Sequence, residues 1–278
     1  MTQTDIHSLS LLLIVYAHQS SGSFNAAAKD VAVEVLTAQG CAVEVSDLYA
    51  MKFKATATAE DITGEVKNAE NFRYAEETKL AWEEGKLSAD ITEEQRKVTE
   101  ADLLIFQFPM YWSSVPAIMK GWFDRVLTLG FAYLQEKPYS HGFKDKKAVL
   151  SFTTGYHEST FSANGINGDM NVTLWPLQNG ILHYCGFQVL APQIFWAPAH
   201  VPTEACNTML EAWRKRLPGL PEEEPLAFTP LDYFDLEKGF QLKPEVHEKH
   251  ATKEFGLTVG THLGKPLPPN NQMKLGAK

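Results

Sequence analysis

Cysteine is scarce and poorly placed for cross-linking. The 278-residue chain holds only Cys41, Cys185 and Cys206, an odd number, far apart and without a C-x-x-C pair. Neither a disulfide framework nor a structural zinc site is indicated, and a reducing compartment fits best. Positive charge is also short: Lys and Arg total 25 against 34 Asp and Glu, for a formal charge of −9. That is the wrong sign for tracking a phosphate backbone, so no nucleic-acid partner is expected. The longest strongly apolar stretch, residues 9–17, is broken by Ser10 and is too short to cross a bilayer, so no membrane span is expected. Residues 1–8 lack Lys and Arg and contain Asp5, unlike the basic start of a secretory signal. The reading is a cytoplasmic protein with a polar tail over residues 1–10. Several catalytic signatures are missing as well. No G-x-x-x-x-G-K-[ST] or G-x-G-x-x-G follows the first apolar run, no G-x-S-x-G elbow occurs, and the nine histidines form no H-E-x-x-H, so no metal is expected.

What is present is ordinary globular composition, 44% hydrophobic and 21% charged, enough for one large domain with an appendage. Residues 11–17 form an apolar run ending in a Ser-rich loop, followed by a helical stretch over 24–39 that Gly40 stops. Residues 42–48 carry β-branched side chains at period two, a second strand. Residues 59–100, rich in Glu, Lys, Ala and Thr, read as a long excursion ending in a helix. Within them Glu76-Glu77 and Glu83-Glu84 look like solvated surface, as does the later run at 222–224. Strands over 101–109, 147–154 and 188–197 alternate with helices over 115–127, 170–184 and 203–217. Near-continuously apolar strands alternating with helices imply a parallel sheet covered on both faces. The expected fold is α/β: a doubly wound five-stranded parallel sheet over residues 11–217. A small proline-rich C-terminal extension, 218–278, is too core-poor to stand alone and is expected to lie against the main domain or a partner subunit.

In such a sheet ligands bind beyond the carboxyl ends of the strands. The first loop, His18 to Asn25, puts serine hydroxyls and free N–H groups where a helix begins, which suits a pyrophosphate; a plain serine cap is the alternative. After the third strand, Pro109-Met110-Tyr111-Trp112 and Pro116 make a stiff loop carrying two aromatics, suited to stacking on a flat heterocycle or simply to covering the end of the sheet. After the fourth, Thr153-Thr154-Gly155 offers hydroxyls and open backbone, or only a turn.

These loops resemble the NAD(P)H:quinone oxidoreductase family, the FAD-containing flavodoxin-like quinone reductases. The resemblance is carried by Ser23-Phe24-Asn25, Ser46-Asp47-Leu48-Tyr49-Ala50-Met51, Phe106-Gln107-Phe108-Pro109, Lys120-Gly121-Trp122-Phe123, Gly168-Asp169-Met170-Asn171 and Cys185-Gly186-Phe187-Gln188. Phe255-Gly256-Leu257 with His262-Leu263-Gly264-Lys265 looks like the extension of the type 1 enzymes. The resemblance implies tightly bound FAD held by His18, Phe24 and Asn25, with Pro109, Met110, Tyr111 and Trp112 along one side of its ring. Thr153, Thr154, Gly155 and Tyr156 would face the ring's pyrimidine edge. It also implies a homodimer whose quinone pocket is shared between subunits, with Tyr133, Gln135, Tyr184 and His200 contributing, and with the extension helping to hold NAD(P)H. The implied reaction is two-electron, ping-pong quinone reduction by hydride transfer through flavin N5, serving quinone detoxification.

Departures from the family are as informative as the matches. Where type 1 members have a Tyr and His relay, this chain has Phe161 and Asn167; Asn167 can still donate a hydrogen bond and Phe161 cannot. Tyr156 replaces a glycine, and Gln135 stands where an aromatic is expected. At the type 2 metal site only His183 matches, with Asn179 and Phe228 replacing the other ligands. Two alternatives stay open: a type 2-like reductase preferring ribosyl nicotinamide donors, and a low-turnover, flavin-stabilised protein-binding module.

Overall fold

Strand β1 (Leu11–Tyr16) alternates its side chains between two separate cores, which is why every residue along it is apolar. Leu13 and Val15 face one cluster, with Leu104, Phe106, Trp122, Phe152 and Leu174. Leu12, Ile14 and Tyr16 face the other, with Ala28, Leu36, Leu103, Val149 and Trp213. A strand buried on both faces cannot alternate polar with apolar. The computed structural model describes residues 11–136, 139 and 142–267; the polar tail expected over 1–10 lies outside them.

The chain continues through α1 (Phe24–Ala38) and β2 (Ala42–Asp47), then α2 (Tyr74–Glu83), α3 (Ala89–Glu100), β3 (Leu103–Pro109), α4 (Ala117–Val126) and β4 (Lys147–Thr153). It goes on with α5 (Met170–Leu177), β5 (Gln188–Val189), β6 (Gln193–Phe195) and α6 (Thr203–Arg216). Every pairing of the main sheet among the described residues is parallel, and the strand order is β2-β1-β3-β4-β5, with β6 also on β4. Helices α1 and α6 pack on one face and α3, α4 and α5 on the other. The order reverses between β1 and β3, opening the crevice where doubly wound sheets bind ligands.

Three expectations about secondary structure need correction, and one about surface charge. The single fifth strand is two pieces: β5 aligns Val189 with Ala148 and β6 aligns Gln193 with Ser151, so the outer strand carries one residue more than β4 over this stretch. The extra residue falls at Leu190 to Pro192, and proline has no N–H for the ladder. The single helix over 170–184 is α5 followed by a π-helical turn, Gln178–His183. Pro176 inside the helix removes a backbone donor, and the wider turn follows directly. The excursion over 59–100 contains two helices, because the face α2 buries is polar and leaves no apolar stripe: Glu77, Thr78 and Ala81. Glu77 is not solvated surface. Its buried carboxylate accepts the N–H groups of Lys67 and Asn68, both at 2.8 Å. Glu223 likewise pairs with Arg216 at 2.7 Å.

The excursion is fastened to the sheet by buried charge. Arg125 donates to Asp61 at 2.9 Å and Asp90 at 2.7 Å, and Tyr74 donates to Asp61 at 2.8 Å. Glu94, fully buried, accepts from Trp122 Nε1, Ser46 Oγ and Lys97 Nζ. Beyond α6 the chain adds a short hairpin, β7 (Phe234–Asp235) with β8 (Gln241–Leu242), and α7 (Pro244–Ala251). This segment is tied back to the main body: Leu226 N–H donates to Val189 O at 2.7 Å, Phe228 stacks on His183, and Gly260 lies so close to the Trp175 ring that a Cβ would overlap it.

Candidate functional site at two ends of the sheet

Parallel strands give the sheet a carboxyl end and an amino end, and the residues singled out from sequence divide between them. The carboxyl end is built by the loops after β1, β3, β4 and β6. Ser23 caps α1, its Oγ accepting from Ala26 N–H at 3.1 Å. The first N–H groups of α1 have no intrahelical acceptor and, with the helix dipole, favour an anion there. His18, whose pKa is lowered by burial, accepts the Ser20 N–H on Nδ1 at 3.0 Å, which puts the proton of the neutral ring on Nε2 as a donor. Phe24 packs edge-on against Phe195 with centroids 5.1 Å apart.

Asn25 is nearly closed off, 3% exposed. Its Nδ2 donates to Thr153 Oγ1 at 2.9 Å, and its Oδ1 accepts from Gln107 Nε2 at 2.9 Å. The loop after β3 is pinned when Met110 N–H donates to Thr153 O at 2.9 Å, and Tyr111 and Ser114 exchange backbone hydrogen bonds at 3.0 Å. Between them Trp112 and Ser113 both have positive φ, 48° and 59°, the primed-turn conformation that bulky residues avoid. This turn presents Trp112 at 99% exposure.

Beyond β4, Thr154 is fully engaged: its Oγ1 donates to Tyr156 O at 2.7 Å and accepts from Ala197 N–H at 3.2 Å. Gly155 is exposed, and a Cβ on it would meet nothing, so backbone at that point stands open. Tyr156 is exposed. Phe161 leans on Trp196 with centroids 5.8 Å apart. Asn167 is held by Thr160, its Nδ2 donating to Thr160 Oγ1 at 3.1 Å and its N–H to Thr160 O at 2.8 Å. His200 is exposed in a single 3-10 turn past β6.

Tyr133, Gln135 and Tyr184 are at the other end. A helix joining parallel strands must run back, so the segment after α4 and the π turn after α5 both lie where the strands begin. There Tyr133 and Tyr184 pack with centroids 5.5 Å apart, and burial raises the pKa of both phenols. Gln135 and Tyr184 line a cavity of about 520 Å³ closed on its far side by Phe228, Phe234 and Phe240 of the extension. Asn179 and His183 also reach it. His183 stacks on Phe228 at 4.2 Å and 14°, and burial pushes its pKa down to about 4, so the ring is neutral at ordinary pH. Among the described residues, His183 and the tyrosines are the only titratable side chains that line this space. Sequence reasoning missed Gln107 and Ser151, which look like strand residues and turn out to brace the carboxyl end. Their polarity within otherwise apolar strands was the available signal.

Strand order, crevice and loop chemistry define a flavodoxin-like protein, and a flavodoxin-like family model matches residues 10–217. Among known proteins the chain is 53% identical to the NAD(P)H dehydrogenase [quinone] 1 of Cavia porcellus over 265 residues, 94% of this chain and 96% of that one. It is 54% identical to the ribosyldihydronicotinamide dehydrogenase [quinone] of Rattus norvegicus over 224 residues, 80% of this chain and 97% of that one. A Klebsiella pneumoniae structure described as that of a putative quinone reductase superposes with a TM-score of 0.83 at 36% identity, covering 91% of this chain and 99% of its own. The chain belongs to the NAD(P)H dehydrogenase (quinone) family.

Proposed function

We propose that this protein is a cytoplasmic, homodimeric quinone reductase that takes electrons from NAD(P)H through tightly bound FAD. The observation that carries the reading is the carboxyl-end crevice. An anion-favouring helix start, an outward Trp112 and the uncovered backbone of Gly155 stand on the loops of neighbouring strands at that end, and together they fit a flat heterocycle on a pyrophosphate. FAD, when bound, supplies two-electron transfer between a nicotinamide and a quinone.

The residues then divide the work. His18, Phe24 and the α1 start hold the phosphates and ribose, with Asn25 bracing them. Pro109, Met110, Tyr111 and Trp112 cover one side of the ring. Thr153, Thr154, Gly155, Tyr156 and Asn167 line its polar edge, where Asn167, preset by Thr160, donates toward developing negative charge and Phe161 fills space beside Trp196. Tyr133, Gln135 and Tyr184 stand at the opposite end of their own sheet, so they reach the same quinone only from a second copy of the chain; this supports the shared pocket of a dimer. The described lining of the cavity is rich in rings and holds no acidic or basic side chain but the neutral His183, which suits an uncharged aromatic acceptor. Residues 11–217 act as the catalytic domain and 218–278 complete the acceptor cavity and help hold NAD(P)H, in keeping with a chain of the length of the NAD(P)H-named relative.

Turnover of menadione with NADPH, NADH and a ribosyl dihydronicotinamide, on protein whose bound flavin is identified after denaturation, tests this. FAD and turnover with NADPH are expected. Release of FMN alone, or of no flavin, overturns it. Asn167 in place of a relay histidine favours a second reading, a donor preference of the type 2 kind, which turnover with the ribosyl donor alone would establish.

A further inference from the structure

Four polar side chains run through the otherwise apolar carboxyl end of the sheet in one continuous chain of hydrogen bonds. Ser151 Oγ donates to Gln107 Oε1 at 2.6 Å, Gln107 Nε2 donates to Asn25 Oδ1 at 2.9 Å, and Asn25 Nδ2 donates to Thr153 Oγ1 at 2.9 Å. They come from three elements that are remote in sequence: β4, β3 and the first turn of α1. Ser151 is fully buried and Gln107 is 1% exposed, so water is not available to replace a lost partner. Each bond passes its donor in the same direction, toward the crevice. The series ends on Thr153, whose oxygen is taken by Asn25 as an acceptor, leaving its own hydrogen to point elsewhere.

We propose that Gln107 is a positioning residue for the cofactor edge: by holding the Asn25 amide in one orientation it makes the Thr153 hydroxyl an outward hydrogen-bond donor to the bound ring. This rests on the reading that the loop after β4 faces FAD. A threonine hydroxyl otherwise rotates freely and serves equally as donor or acceptor. Here rotation inward would aim its hydrogen at the Asn25 NH₂ group, donor against donor, so the network removes that choice before any ligand arrives. A fixed donor costs no reorganisation when negative charge grows on the ring, and it favours the reduced form over the oxidised one.

Removing Gln107 leaves the Asn25 amide unpinned. Once it turns over, its Oδ1 meets Thr153 and accepts the hydroxyl hydrogen, which is then lost to the cofactor. Gln107→Leu and Thr153→Val therefore share one effect although one residue is buried away from the ligand.

The test uses the full-length protein and two readouts besides turnover: FAD affinity, by titrating flavin-stripped protein with FAD and following quenching of flavin fluorescence, and the midpoint potential of the bound flavin. Gln107→Leu and Thr153→Val are each expected to weaken FAD binding about five- to tenfold, the loss of one hydrogen bond, and to shift the potential to more negative values. The double variant is expected to be no worse than either single one, and Thr153→Ser to keep wild-type behaviour. If Gln107→Leu fails to fold, Ser151→Ala, which removes only the first donor, is expected to shift both readouts the same way by less. Independent, additive effects of Gln107→Leu and Thr153→Val overturn the proposal, as does an unchanged potential in the folded Gln107→Leu protein or, where Ser151→Ala is used, in that variant. Either result leaves FAD binding by the wild-type protein intact, whereas a wild-type protein that binds no FAD removes the functional reading itself.

Discussion

The two ends of the sheet solve opposite problems. The carboxyl end is organised by directional bonds: a cap at Ser23, a pinned turn at Tyr111 to Ser114, and a buried polar chain from Ser151 to Thr153. The amino end is organised by rings in contact, Tyr133 on Tyr184 and His183 on Phe228, beside a cavity lined among the described residues by rings and uncharged groups. Hydrogen bonds set orientation and suit a ligand that must lie one way; ring contacts set shape and charge state and tolerate ligands of related outline. Half of the second end is supplied by the extension, so the two ends also differ in how they can be taken apart.

The comparison breaks most completely when the extension is removed. Ending the chain after Pro221 deletes Phe228, Phe234 and Phe240 from the cavity wall and leaves in place the cap at Ser23, the pinned turn after β3 and the polar chain to Thr153. KM for NADPH should rise about tenfold or more, a loss of at least ~1.4 kcal/mol, while FAD stays bound; steady-state kinetics checks this, and an equal loss for a ribosyl donor would mean the extension is only structural.

Charging the amino end comes next. The His183 pKa is pushed down to about 4 by burial from roughly 6.5 in an unfolded chain, so unfolding takes up a proton between those values. The stability due to neutral His183 is therefore complete above about pH 6.5 and drains away as pH falls toward 4, on the order of 3 kcal/mol in all. Denaturant titrations across this window should show that slope in the wild type and a shallower one in His183→Phe.

A smaller perturbation acts on the contact that ties the extension to α5. Gly260→Ala places a methyl group against the Trp175 ring, and overpacking of this kind costs about 1–3 kcal/mol. Thermal unfolding should register it, with cofactor content unchanged. The smallest effect belongs to the carboxyl end: Trp112→Gly relieves a left-handed backbone in a fully exposed residue, and should stabilise the protein by about 1 kcal/mol or less while weakening flavin retention. A gain in stability with a loss of ligand at one residue is the mark of strain kept for binding.

The alternation of apolar strands with helices, the β1 loop and the aromatic turn after β3 were legible in the chain because local rules carry them: period, caps and turn residues act over a few positions. The buried face of α2 was not, since Glu77 satisfies its charge with backbone N–H groups of a neighbouring loop that no periodicity reveals. The break in the fifth strand was half visible in Pro192, and the π turn half visible in Pro176, but only packing decides whether a proline bends an element or ends it.

By itself the sequence determined the parallel sheet, the position of the loops at the carboxyl ends of its strands and the lack of an H-E-x-x-H motif, because strand burial and loop chemistry are properties of adjacent residues. Tertiary structure alone decided that Asn25, Gln107, Ser151 and Thr153 form one hydrogen-bonded chain, and that Tyr133, Gln135 and Tyr184 lie across the sheet from them. Those facts depend on which strands neighbour one another and which way each connecting helix returns, and they join residues as much as 128 positions apart, a separation over which sequence carries no local signal.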